Sequence, residues 1–291
     1  MRILLTGADG QVGKSVQKQL AGTRVQLHSA NRQTLDISDR QAVFDTIDKI
    51  KPTLIINAAA YTQVDLAETQ REQCEKVNVF GCENLAQACE KHDIPLLHLS
   101  TDYVFDGQKQ TPYLETDAAH PLNFYGLSKL HGEQAIQAYC SKYIIVRVSG
   151  VFSAYQVNFV KKILALAKQH KQLRIINDQF LCPTSASDIA RMLQEILQKL
   201  TRDDTRWGLY HYCSDDVTNW FEFTQSIFAI AKPYIEAPLP ALVAIPHTDY
   251  PTPAQRPLYS ALNFSKLFNH FQIASPSWHR SLEPVIKDLY L

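Results

Sequence analysis

Ile3-Leu4-Leu5-Thr6-Gly7-Ala8-Asp9-Gly10-Gln11-Val12-Gly13 opens the chain, and its reading decides the fold. The apolar run stops at Gly7 with Asp9 close behind, which fits a buried strand rather than the core of a secretory leader. An amphipathic stretch, Gln11–Leu20, follows at once and reads as a helix. Between the two, glycines at Gly-x-x-Gly-x-x-Gly spacing allow a tight turn. They let backbone amides approach a pyrophosphate and let the helix pack close to the strand. The bland reading is a structural turn. In its strand-to-helix setting the pattern predicts dinucleotide binding, with Gly7, Gly10 and Gly13 forming the turn.

The same alternation continues outward. Short apolar runs at Val25–His28, Leu54–Asn57, Leu96–Ser100 and Ile144–Val148 join Ile3–Thr6 as strands read as buried on both faces. Helical patterns lie between them, at Arg40–Ile50, Val77–Lys91 and Phe124–Tyr139. The expected fold class is therefore α/β, a Rossmann-type doubly wound parallel sheet with ligands beyond the carboxyl ends of its strands. We place a dinucleotide-binding domain over residues 1–150. A smaller, mainly substrate-binding domain follows over 151–291, with some segments returning to the first sheet. There the helical patterns are Val157–His170, Ser187–Leu200 and Asn219–Ala231, with another starting near Asn263; strands are expected at Leu173–Ile176 and Leu209–Cys213. The proline-rich segment from Pro238 to Pro257 predicts a long ordered loop or linker with no regular element.

Composition narrows the function. The 291 residues are 45% hydrophobic and 20% charged, as expected of a globular protein that buries a sizeable core. Lysine plus arginine equals aspartate plus glutamate at 29 each, so no net field favours nucleic acid or an anionic membrane. No stretch approaches the ~18 apolar residues of a membrane span. Six cysteines show neither Cys-x-x-Cys nor zinc spacing, so no metal site is expected and Cys82 and Cys89 read as buried reduced thiols. The expected compartment is the cytoplasm. His98, between Leu97 and Leu99, reads as a packed strand residue rather than a ligand.

Tyr125 and Lys129 stand four apart in a helical pattern, which stacks them on one face. An ammonium beside a phenol favours the ionised form and should lower the tyrosine pKa, producing an acid able to protonate a carbonyl oxygen during reduction. With thirteen tyrosines, one such spacing could arise by chance, so its surroundings decide. Ser100-Thr101-Asp102-Tyr103-Val104-Phe105-Asp106-Gly107 follows the fourth strand, placing the Thr101 hydroxyl where it can orient a carbonyl beside that phenol. At the end of the second strand, Arg32 stands where an acidic residue would select NADH. This leans toward NADPH, with NADH still open, because Arg32 also reads as a solvated loop residue.

Together these residues resemble the extended short-chain dehydrogenase/reductases and, within them, the dTDP-4-dehydrorhamnose reductase family. The likeness covers nearly the whole chain. It rests on Thr6–Gly13, on Ile56–Glu68, on Ser100–Gly107 and on Tyr113–Asp117 with Pro121–Glu133. In the second half it rests on Asn177–Gln179 with Pro183-Thr184, on Gly208–His211, and on Tyr250-Pro251-Thr252-Pro253-Ala254-Gln255-Arg256-Pro257. The resemblance implies NADPH on Gly10, Gln11 and Val12, with Asp36 and Ile37 at the adenine and Ala60, Tyr61 and Thr62 lining its path. It implies that Lys129 also bonds the nicotinamide ribose, that Thr101, Asp102 and Tyr103 hold a nucleotide-sugar substrate, and that Tyr125 protonates O4 of a 4-keto sugar. Arg256, in an ordered loop, reads as a partner for the substrate diphosphate, against the plain reading of a surface arginine. Asn78 is expected to order backbone near the active site.

The chain departs from the family in two places. Gly150 stands where members often carry a tryptophan against the sugar, which opens the identity of the sugar. Lys14-Ser15 follow Gly13 where some members use an acidic residue in a metal site at a dimer interface, so neither metal nor homodimer is implied firmly. Two competing classes remain: a non-catalytic NADP-binding regulatory subunit of the methionine adenosyltransferase type, and a reductase, epimerase or dehydratase acting on another nucleotide sugar.

Overall fold

The computed structural model describes residues 1–201, 203–236 and 238–290. Strands β1 (Arg2–Thr6), β2 (Gln26–Ala30), β3 (Leu54–Asn57), β4 (Leu96–Thr101) and β5 (Tyr143–Val148) join Gly208–His211 in a six-stranded sheet. The spatial order is Gly208–His211, β5, β4, β3, β1, β2, and every pair is parallel. The chain leaves β1 for β2 on one side and returns to β3 on the other. The winding therefore reverses between β1 and β3, and a crevice opens between the loops that follow them.

Alternation within each strand builds two apolar layers. Ile3, Leu5, Ile56 and Val146 face one layer, closed by helices Gln11–Leu20 and Ala186–Lys199. Leu4, Ile55, Leu96 and Ile145 face the other, closed by Arg40–Ile50 and Gly81–Lys91. β2 is the exception to the expectation of two buried faces. It pairs with β1 alone, and Gln26 and Ser29 are exposed, because an edge strand has no second neighbour to cover it.

The segment read as one helix over Val77–Lys91 begins earlier and changes pitch. It runs as Arg71–Glu75, a π-helical Lys76–Phe80, then Gly81–Lys91. In the second half, Phe152, Val160, Phe223, Ile227, Trp278 and Leu282 form a separate apolar cluster. The proline-rich segment is not devoid of regular structure, which corrects the sequence expectation. Ala241–Ile245 is a strand parallel to Gln172–Ile176, with Pro240 and Pro246 just outside its ends, where a missing N–H costs the ladder nothing. All six cysteines are buried and unbridged. Among the described residues no helix is long and apolar enough to cross a membrane.

Candidate active site

The helix Phe124–Tyr139 fixes Tyr125. Its N-cap, Asn123, accepts from Gly126 N at 2.8 Å and donates through Nδ2 to Gln255 O at 2.7 Å. A Cβ on Gly126 would lie 2.1 Å from Tyr103 O, so only glycine lets the first turn rest on the 3₁₀ turn Asp102–Val104 that follows β4. The Tyr125 and Tyr103 rings consequently meet edge-on, 5.9 Å apart.

Thr101 lies beneath them, buried, accepting from Tyr103 N at 3.2 Å and donating to Asp102 Oδ1 at 3.1 Å. Asp102 Oδ2 also receives Ser149 Oγ at 2.7 Å and Ser260 Oγ at 2.6 Å. Burial raises the Asp102 carboxyl pKa, and these three hydroxyls oppose the rise. In this arrangement the carboxylate that the resemblance assigned to the sugar also receives three protein hydroxyls, Thr101 among them.

Lys129 shares the helix face of Tyr125 but points its Nζ elsewhere. Nζ lies 2.8 Å from Leu99 O and 3.1 Å from His98 Nε2. The expected lowering of the phenol pKa is not found. Burial drives Tyr125 well above the usual tyrosine value, with the Asp102 charge adding to it and the Thr101 hydroxyl opposing. Desolvation wins because the one cation expected to offset it is turned toward β4. Burial also lowers the Lys129 pKa, against the influence of Cys82, Glu133 and Cys74.

On the cofactor side, the expected turn is built tightly. A Cβ on Gly13 would come within 2.2 Å of Gly7 O. Gly10 is the N-cap of Gln11–Leu20 and brings no capping side chain, so the first-turn amides, Gln11 and Val12 among them, lack the side-chain acceptor that a bound pyrophosphate would replace. Gln11 Oε1 accepts from Ser153 Oγ at 2.8 Å and Asn158 Nδ2 at 3.0 Å, while Gln156 Nε2 donates to Asp9 O at 2.7 Å. The second half of the chain thus braces the glycine turn. After β3, Asn78 grips both sides of Tyr61: Oδ1 accepts Tyr61 N at 2.8 Å, and Nδ2 donates to Tyr61 O at 3.1 Å and to Ser128 Oγ at 2.9 Å. This fixes the path of Ala60, Tyr61 and Thr62.

At the end of β2, Arg32 is exposed and 3.8 Å from Asp36, which accepts from Ser38 N and Oγ at 3.0 and 2.7 Å. Ile37, expected at the adenine, buries its side chain against Gly81, and its carbonyl accepts Asn84 Nδ2 at 3.0 Å. Arg256 is also engaged. Its Nη1 and Nη2 reach Asp65 at 3.0 and 2.8 Å, so the guanidinium expected to meet the substrate diphosphate already holds a carboxylate. It lines a cleft of about 1040 Å³ together with Gln108, Lys109, Phe180, Tyr250 and Tyr259. Tyr125, Thr101 and Lys129 are not on its walls; Tyr103, whose phenol burial pushes up to about 12 against the Arg256 charge, connects the two regions. Gly150 has φ +53°, and a Cβ there would meet Leu181 Cδ1 at 2.6 Å, so Leu181 fills the place of any larger side chain.

Sequence reasoning missed Asn57, Asp65, Ser149 and Ser260, and it read His98 as a packed strand residue rather than a ligand. Asp65 and Ser260 act on partners 191 and 158 residues away, beyond any local pattern. His98 carried a signal, being a polar residue in an apolar strand next to Ser100-Thr101.

The family model described as the RmlD substrate binding domain matches residues 1–291. A dTDP-4-dehydrorhamnose reductase of Aggregatibacter actinomycetemcomitans is 42% identical over 288 residues, 98% of each chain. The fold superposes on a dTDP-4-dehydrorhamnose reductase from Clostridium acetobutylicum with TM-score 0.93 and 34% identity, covering 100% of both chains. A reductase of the same name from Bacillus anthracis, in complex with NADP, gives TM-score 0.91 and 31% identity over 99% of each chain.

Proposed function

The chain belongs to the dTDP-4-dehydrorhamnose reductase family, and on that premise we propose how its side chains perform the family's reaction. The activity is that of an oxidoreductase in dTDP-L-rhamnose biosynthesis with NADP as its cofactor, as for the relatives. The observation that carries the reading is Tyr125 held over the end of β4 beside Thr101, with Lys129 one turn behind it.

The residues present fit the cofactor, since the glycine turn presents helix-terminal amides without a capping side chain. When bound, NADPH supplies the hydride for C4 of the keto sugar. Gln11 and Val12 would hold its pyrophosphate, and Ala60–Thr62 would line its path. Tyr125 is protonated in the free protein and donates that proton to O4 as the carbonyl is reduced. Thr101, held by Asp102 and by Tyr103 N, sets the position of the phenol and of the carbonyl beside it. Arg256, with Asp65, holds the wall of the large cleft where the nucleotide end of the substrate would lie.

The test is consumption of NADPH with dTDP-4-dehydro-6-deoxy-L-mannose by the full chain. Conversion of the sugar without loss of nicotinamide absorbance would overturn the reductase reading, and turnover of a different keto sugar alone would overturn the substrate.

A further inference from the structure

Lys129 ends a buried polar chain that crosses the sheet. Thr6 Oγ1 donates to Asn57 Oδ1 at 2.7 Å, Asn57 Nδ2 meets His98 Nδ1 at 2.9 Å, and His98 Nε2 meets Lys129 Nζ at 3.1 Å. None of the four is more than 2% exposed. The chain starts beside the cofactor crevice, since Thr6 precedes the glycine turn and Asn57 precedes Ala58–Ala60.

The direction of its protons follows from the backbone. Ala59 N–H donates to Asn57 Oδ1 at 3.1 Å, so that atom is the amide oxygen and Nδ2 can only donate. His98 Nδ1 must accept from it, which leaves the proton of a neutral imidazole on Nε2. Nε2–H against an ammonium would set two donors face to face. The contact becomes a hydrogen bond only when Nζ is an amine whose lone pair takes Nε2–H while one of its own hydrogens goes to Leu99 O.

The groups around Nζ agree. Glu133 on its own helix is neutralised by Arg147, at 2.9 and 2.6 Å, and Ser100 also donates to it. Cys74 and Cys82 face it from the Arg71–Lys91 helical run with their thiol pKa values raised by burial, so they remain protonated, as does Tyr125. No free anion is left among the groups that act on Lys129, and an unpaired buried cation is costly. Burial also lowers the pKa of both His98 and Lys129.

We propose that His98 is a positioning residue that stores Lys129 as a neutral amine in the free protein, and that cofactor binding draws a proton from solvent onto Nζ and turns it toward Tyr125. The inference rests on the reading of Lys129 as the lysine of the site. It assigns the buried His98 a task that neither packing nor substrate contact supplies. It also leaves the Tyr125 phenol protonated in the free protein, with its proton still in place for O4 once the cofactor is bound.

The test begins with the unaltered chain and needs no variant. Nitrogen-15 NMR of labelled histidine should show His98 as the Nε2–H tautomer, without titrating between about pH 5 and 9, far from the usual value near ~6.5. Carbon-13 NMR of labelled lysine should show one residue, identified by its loss in Lys129→Met, titrating below the others. Calorimetry of NADP+ binding in two buffers of unlike ionisation enthalpy should show proton uptake of up to about one per site. In His98→Gln, whose amide oxygen accepts from an ammonium, that uptake should fall to near zero and the pH profile of kcat/KM should move. An Nδ1–H tautomer, a normally titrating His98, or a Lys129 titrating with the surface lysines would overturn the proposal. Full reductase activity in Lys129→Met would instead remove the reading on which it rests, leaving the tautomer result to stand alone.

Discussion

Tyr125 carries its proton in a buried place and gives it up only if the phenolate left behind is stabilised. Replacing it by phenylalanine removes one oxygen and no packing. Tyr125→Phe should therefore lower kcat by about 100-fold or more, or about 3 kcal/mol, with NADP+ affinity and unfolding unchanged. Stopped-flow hydride transfer alongside a binding titration checks this, and a fully active variant would sink the assignment. His211 supplies a second prediction. It is fully buried, its Nδ1 lies 3.1 Å from Tyr113 O, and burial with the nearby Arg147 charge lowers its pKa to about 3. The unfolded chain, with histidine near its ordinary ~6.5, binds the proton first as pH falls, so folded stability is complete above that value and drains away toward about pH 3. Between pH 7.5 and 5 His211 alone should cost about 2 kcal/mol. Urea unfolding at the two pH values, with His211→Gln as the comparison, measures it; an equal pH dependence in both proteins would refute the attribution. The spacing of Tyr125 and Lys129 disclosed which helix face they share. It did not disclose where Nζ points, because a long flexible side chain goes to whichever acceptor the neighbouring strand offers, here Leu99 O.

Elements meet where side chains are missing. In an exposed helix, alanine is better than glycine by about 1 kcal/mol, so Gly126→Ala would ordinarily stabilise. Here the new methyl would sit 2.1 Å from Tyr103 O, a backbone atom that cannot swing aside. Overpacking of this kind costs about 1–3 kcal/mol, so the steric cost should win. Gly126→Ala should lower the melting temperature and also reduce kcat, since Tyr125 rides on the displaced turn. A more stable and fully active variant would show that the helix does not depend on this approach. The helices Gln11–Leu20, Arg40–Ile50 and Phe124–Tyr139 were legible to the residue: the first two have an amphipathic period with Gly22 and Pro52 just past their ends, and the third starts at its cap Asn123, shortly after Pro121. The exposed faces of β2 and the strand Ala241–Ile245 were not. Edge position and pairing with a distant strand are properties of the sheet, and neither leaves a local trace.

Across the whole molecule, polar ties join the halves around the site, among them Asp65 with Arg256, Asp102 with Ser260, and Gln11 with Ser153 and Asn158. Each anchors a segment of the second half to a loop at the carboxyl edge of the sheet. Arg256→Lys loses the two-pronged geometry and should raise KM for the nucleotide sugar by about tenfold, the loss of one charge-assisted hydrogen bond, with NADP+ affinity unaltered. Asn158→Ala should do the reverse, weakening NADP+ binding while sparing sugar KM. Measuring both constants for both variants separates the two ties; identical effects would mean the halves respond as one body. By itself the sequence determined the doubly wound sheet, the glycine turn, the dinucleotide site and the candidate acid, because strand and helix periods and turn chemistry are written in neighbouring residues. Only the tertiary structure decided that Asp102 holds hydroxyls, that Arg256 is already paired, that Leu181 fills the space above Gly150, and that Lys129 rests against His98. Those outcomes depend on which remote donor or acceptor arrives within hydrogen-bonding distance, and a buried polar group takes the partner the fold brings to it.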